Sequence, residues 1–209
     1  MVHALTPAAL ESGLVVGGAA VLVVGRTTFL QSLPRCLSAG LGVAALVTSQ
    51  VSAQPQACDP ELQPPSTPTS RFTDHGDGTV TDNGPTQLMW MRCAAGQQWR
   101  GNTCEGNAAV HSWPQAQALA TKLNESGHMF FNDWRVPSLR ELATVTERQC
   151  LHPRINLQVF PATPSVTFWT GSASARRADE AYVLDFASAG VAQAPRNSEH
   201  AVRLVRSAP

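Results

Sequence analysis

The stretch 133–142, Asp-Trp-Arg-Val-Pro-Ser-Leu-Arg-Glu-Leu, constrains what this chain can fold into more than any other segment. It reads as the end of a strand running straight into a capped helix. Ser138 is a favourable N-cap, and Glu141 stands three residues on, where a capping box puts a carboxylate within reach of the cap N–H. Pro137 cannot donate a ladder hydrogen bond and biases Val136 toward extended geometry, so strand and helix are separated at a fixed place. Trp134 and Val136 alternate with Arg135 on the strand side. Leu139, Leu142, Ala143 and Val145 make an apolar stripe on the helix side, and both sets are expected to face one core.

Far upstream, two apolar runs, 14–24 and 37–47, are separated by Arg26, Gln31, Pro34 and Arg35. Arg26 and Arg35 are the only charges between Glu11 and Asp59. Val51-Ser52-Ala53 then supplies a small-residue cleavage pattern, so residues 1–53 read as a secretory signal peptide. Neither run approaches the roughly 20 apolar residues needed to span a bilayer. A lipoprotein signal also fails, because Pro34 and Arg35 precede Cys36 where small residues are required. The length of this leader implies that translation starts inside roughly the first 30 residues. The processed chain is expected in the secreted or periplasmic space, with no membrane attachment once the signal is removed.

Residues 54–209 are long enough for one domain with a real core. Across the whole chain 15 Lys and Arg balance 15 Asp and Glu, so no general electrostatic pull favours nucleic acid or an anionic membrane. Cys36 aside, four cysteines remain: Cys58, Cys93, Cys104 and Cys150. An even number in an exported chain points to two disulfides, with three possible connectivities. The preferred one closes the Gly-rich loop between Cys93 and Cys104 and ties the N-terminal arm at Cys58 to the end of the central helix at Cys150. No C-x-x-C or H-x-x-x-H spacing occurs, so no metal and no cofactor is expected.

Residues 54–70 are rich in Pro, Ser, Thr and Gln and read as an extended linker or arm, leaving 71–209 as the domain. Arg71 to Thr73, Thr79 to Asp82 and Gln87 to Met91 form a β-meander by their turn chemistry. Asp74, Asp77 and Asp82 lack the ligand order of a calcium loop and are expected to form turns. Ser112 and Pro114 open a helix whose stripe is Trp113, Ala116, Leu119, Ala120 and Leu123, with Gly127 as its stop. Proline-punctuated chain around 150–164 leads to three closing strands: 167–172, 181–186 and 200–206.

These residues carry a resemblance. Asp77-Gly78-Thr79-Val80-Thr81-Asp82, Leu88-Met89-Trp90, Arg92-Cys93, the loop from Gly96 through Trp99 and Gly101 to Cys104, Trp134-Arg135-Val136-Pro137, Glu141-Leu142, Ile155-Asn156, Phe160-Pro161, Phe168-Trp169-Thr170 and 202–206 resemble, in order, the Lcl C-terminal domain family. That family is named after the end domain of a collagen-like bacterial adhesin. The resemblance implies an α+β, C-type-lectin-like fold in an exported bacterial binding protein, with glycosaminoglycans as the adhesin's ligand. There is no Gly-X-Y repeat here, so the namesake's collagen stalk is absent. With a net charge of zero, sulfated-glycan binding requires a local arginine patch. Arg154, Arg176, Arg177 and Arg196 are the candidates, with Trp169 and Tyr182 as rings that could stack on a sugar.

Two other readings differ in class. The 134–141 segment is also similar to the Arg-Leu-Pro-Thr-x-x-Glu signature of the formylglycine-generating enzymes, whose chemistry uses thiols near the chain end. No cysteine follows Cys150 and no nucleophile–base motif is visible, so catalysis is not expected. A structural or appendage-associated subunit that binds another cell-surface protein would need only the same stable scaffold and loop surface.

Overall fold

The computed structural model describes residues 55–61 and 63–209, and the signal peptide expected over 1–53 lies outside them. A two-residue strand, β1 (Ala57–Cys58), opens the described chain. The meander then forms as its turns dictate: β2 (Phe72–Asp74), β3 (Thr79–Asp82) and β4 (Leu88–Met91) pair antiparallel in succession. Each of the three aspartates accepts from the amide two residues ahead, Asp74 from Gly76 at 2.9 Å, Asp77 from Thr79 at 2.8 Å and Asp82 from Gly84 at 2.8 Å. These are side-chain-closed turns. Among the described residues no group of three or more potential metal ligands gathers.

The Cys93–Cys104 segment, read from sequence as a loop, is a hairpin of β5 (Gln98–Arg100) and β6 (Thr103–Glu105), with Trp99 opposite Cys104. β7 (Val110–His111) leads into α1 (Trp113–Glu125), where the Ser112 amide donates to Gln115 Oε1 at 2.8 Å and Pro114 occupies the first turn. Gly127 ends it in left-handed backbone, φ 62°. The capping box at Ser138 closes in both directions, at 3.3 Å to the Glu141 amide and 2.7 Å from the Ser138 amide to the Glu141 carboxylate. The helix it starts, α2 (Leu139–Thr144), is short. Thr146 bridges to Ile155 and the Glu147 amide bonds the Arg154 carbonyl at 3.0 Å, which draws the chain into extended geometry. Cys150 therefore stands not at a helix end but in β8 (Cys150–Leu151), paired with β1.

β9 (Thr167–Ala173), β10 (Glu180–Asp185), β11 (Val191–Pro195), β12 (His200–Ala201) and β13 (Val205–Ser207) complete the chain. The late sheet has five strands, not three, in the order β11-β10-β9-β12-β7, and the meander sheet runs β13-β4-β3-β2. The segment 200–206, expected as one strand, is thus divided between two sheets. The break falls at 202–204, where the Arg203 guanidinium donates to the carbonyls of Met91 and Arg92.

β4 sits between two apolar clusters and is buried on both faces, as an uninterrupted apolar run in a strand requires. Leu88 and Trp90 pack with Leu142, Val145, Phe160 and Phe168. Met89 packs on the other side with Trp134, Val136, Trp169 and Leu204. The strand-to-helix junction therefore straddles two clusters, and the expectation that both its sides share one core is corrected. Ala143 of the expected stripe is exposed. The architecture is α+β, mostly sheet with two helices and two disulfides, Cys58–Cys150 and Cys93–Cys104. The pairing is the one preferred from sequence.

Residues 55–61 and 63–70 form a docked strap, the arm of the two readings that composition allowed. Gln56 Nε2 donates to the carbonyls of Pro153 and Ile155 at 2.6 and 2.7 Å, and the Asp59 amide bonds the Gln149 carbonyl at 2.8 Å. Further along, the buried Glu147 carboxylate accepts from the amides and hydroxyls of Ser66 and Thr67 at 2.8–3.1 Å. Burial pushes this carboxyl up, but the donors from Thr67, Ser66 and Gln149 outweigh it and hold it at about 2. The Arg135 guanidinium holds Glu141 at about 2 as well, against burial and with help from Ser138. Both folded-state values lie below the ordinary carboxylate range, so the unfolded chain takes up protons first and stability drains away as pH falls from about 4.5 toward 2. Urea midpoints should drop across that window. Glu147→Gln should flatten the drop while removing about 2 kcal/mol at neutral pH. An acid slope identical in the two proteins would show that Glu147 does not govern it.

Candidate functional site

Two surfaces concentrate functional chemistry. The first lies on the β9–β10–β11 side of the late sheet. Ser174 Oγ accepts from the amides of Arg176 and Arg177 at 3.3 and 3.1 Å, shaping the turn that projects both side chains. Arg177 Nη1 donates to Glu180 Oε1 at 2.7 Å while remaining largely exposed. Arg176 and Arg177 line a shallow depression of about 250 Å³ with Glu180 and Gln193. Tyr182 stands opposite Gln193 across β10 and β11, its hydroxyl 3.4 Å from Gln193 Nε2. Arg196 is held apart from this group: its Nε donates to the Glu180 carbonyl at 3.3 Å and its guanidinium lies 4.5 Å from the ring centre of Trp113, which packs with Ala181 and Ala194. Three of the six residues named from sequence, Arg176, Arg177 and Tyr182, are thus brought together, while Arg196 turns to Trp113.

The other two are not. Arg154 donates to the carbonyls of Ser188 at 3.1 Å and Arg148 at 2.7 Å, so its guanidinium is tied to backbone away from the depression. Trp169 is fully buried, with its indole N–H on the His111 carbonyl at 2.7 Å and its ring edge-on to His200 at 4.6 Å. A sugar cannot reach it, and its place as a stacking residue is corrected to core.

The second surface escaped the sequence reading. A cleft of about 440 Å³ opens between α1 and the β5–β6 hairpin, with an apolar floor of Met91, Leu119, Leu123, Met129 and Leu204. Trp99 forms one wall. Its indole N–H donates to the Gly76 carbonyl at 3.2 Å, and the Arg92 guanidinium lies 4.3 Å from its ring centre. Arg92 is in turn held by the carbonyls of Val159 and Gln158, each at 2.8 Å, and by Asp74 at 2.6 Å. A Cβ on Gly78 would lie 2.7 Å from the Trp99 ring, so only glycine lets the turn approach this closely. The Cys93–Cys104 disulfide pins the hairpin that carries the wall. One sequence signal bore on the cleft: the α1 stripe is wider than its buried residues, Ala116 and Ala120, leaving Leu119 and Leu123 partly uncovered.

The Lcl C-terminal domain profile matches residues 78–206, from the glycine under Trp99 to the last core strand. The chain belongs to the Lcl C-terminal domain family. No curated protein matches it. Membership points to a bacterial extracellular domain, and the two disulfides of this Lcl C-terminal domain belong to an oxidising compartment. Among the described residues no helix is long and apolar enough to cross a membrane. Both surfaces are carried by the Lcl C-terminal domain itself.

Proposed function

We propose that this protein is an exported, C-type-lectin-like binding module of the bacterial cell envelope that recognises a sulfated glycan through its loop surface and performs no chemistry. The observation that carries the reading is the grouping of Arg176, Arg177 and Tyr182 around Glu180 and Gln193. Guanidinium groups match sulfate oxygens in forked geometry, and an aromatic edge beside them suits a sugar ring. Ser198 and His200 support a non-catalytic role. Ser198 Oγ lies 3.1 Å from His200 Nε2, yet its hydroxyl already donates to the Pro195 carbonyl at 2.6 Å, so the ring is not placed to take that proton. Burial also lowers the basicity of His200.

A glycan array probed across a salt series tests the reading. Binding to sulfated chains should weaken as salt rises, and replacing Arg176 and Arg177 together by alanine should weaken it by about tenfold or more. A blank array from folded protein would favour a cell-surface protein as the partner. Binding that ignores both salt and the double substitution would place the glycan site elsewhere.

A further inference from the structure

Phe130 has no place in the monomer. Its side chain is fully exposed, and both Met129 and Phe130 hold left-handed backbone, at φ 54° and 64°, although neither is glycine. Such strain persists where the surroundings enforce it and collects at functional positions. Its neighbours are anchored: Met129 forms part of the cleft floor, and Phe131 packs edge-on against Trp134 at 6.0 Å and under the Arg206 guanidinium at 3.8 Å. An apolar knob is therefore held out beside an apolar hole, since His128 and Met129, the two residues before Phe130, line the cleft.

We infer that two copies of this chain dock about a two-fold axis, the Phe130 ring of each seated in the cleft of the other. A knob and a hole on one patch are self-complementary under a two-fold rotation, which closes the assembly at two. Self-docking also requires a face without repeated like charge, and among the described residues Asp77 and His128 are the only ionisable ones lining the cleft. Methionine and leucine walls adapt to an entering ring. Each ring buries about 150–250 Å², well under the roughly 800 Å² per partner of a standard interface, so the dimer is weak and concentration-dependent. On an envelope it would present two arginine surfaces at once and raise avidity without a new contact. The inference stands whether or not the ligand is a glycan.

Sedimentation velocity on the purified protein from micromolar to millimolar concentration tests it, alongside Phe130→Ala and the methionine methyl resonances of both proteins. The expected result is a monomer–dimer equilibrium in the wild type with concentration-dependent shifts of Met91 and Met129. Phe130→Ala, at a fully exposed position, should keep its fold and stay monomeric with unmoved methyl signals. A wild type that is monomeric throughout, a variant that associates equally well, an assembly larger than two, or association that leaves Met91 unshifted would each overturn the arrangement.

Discussion

Replacing Cys58 and Cys150 together by serine is expected to lower the unfolding free energy by about 4 kcal/mol, the largest loss we anticipate from removing either bridge. The two cysteines are 92 residues apart in sequence, so their bond closes most of the domain into one loop and removes much of the freedom of the unfolded chain. In the chain-entropy account the Cys93–Cys104 bridge, with a separation of 11, contributes roughly 3 kcal/mol. Urea unfolding of the two double variants under oxidising conditions checks both the size and the order. A loss below about 1 kcal/mol for the long bridge would mean that the Glu147 hydrogen bonds to Ser66 and Thr67 hold the strap unaided.

Arg203→Met should cost about 3–5 kcal/mol despite keeping an unbranched side chain of similar reach. Arg203 is fully buried and, among the described residues, has no carboxylate partner. Burial pushes its guanidinium down to about 9, still above neutral pH, so it carries its charge inside the core. What offsets that desolvation is the set of acceptors around it: the carbonyls of Met91 and Arg92, Thr163 Oγ1 at 2.7 Å, and the ring of Phe160 at 4.8 Å. Methionine would remove the charge but leave the two carbonyls and the threonine without donors, and the unpaired acceptors decide the sign. Thermal and urea unfolding measure the cost. A variant as stable as the wild type would mean that the gain from deleting a buried charge cancels those losses.

Much of the fold was legible because the information was local. The helix starts at Ser112 and Ser138 and the aspartate turns of the meander depend on side chains bonding backbone two or three residues away, the stop at Gly127 depends on left-handed backbone that glycine adopts freely, and all form where expected. The disulfide preference followed from cysteine count and the glycines between Cys93 and Cys104. The miss at 200–206 has the opposite origin. Alternation there reads as one strand, but the switch between sheets is imposed by Arg203 reaching backbone more than a hundred residues away, at Met91 and Arg92. Composition left linker and arm both open over 54–70 for the same reason: the polar residues there bond Glu147, some 80 residues distant.

The candidate sites divide along that line. Sequence alone determined the family resemblance, the α+β class, the preferred disulfide pairing and the pool of arginines and aromatics from which a site could be drawn. It could not say that Trp169 lies in the core while Tyr182 faces out, because that depends on which face of β9 and β10 the neighbouring elements cover. Nor could it place Trp99 across from Leu119 and Leu123. Tertiary structure alone decided that, since a cleft is a relation between a hairpin and a helix, and no local hydrogen bond or periodicity encodes the gap left between them.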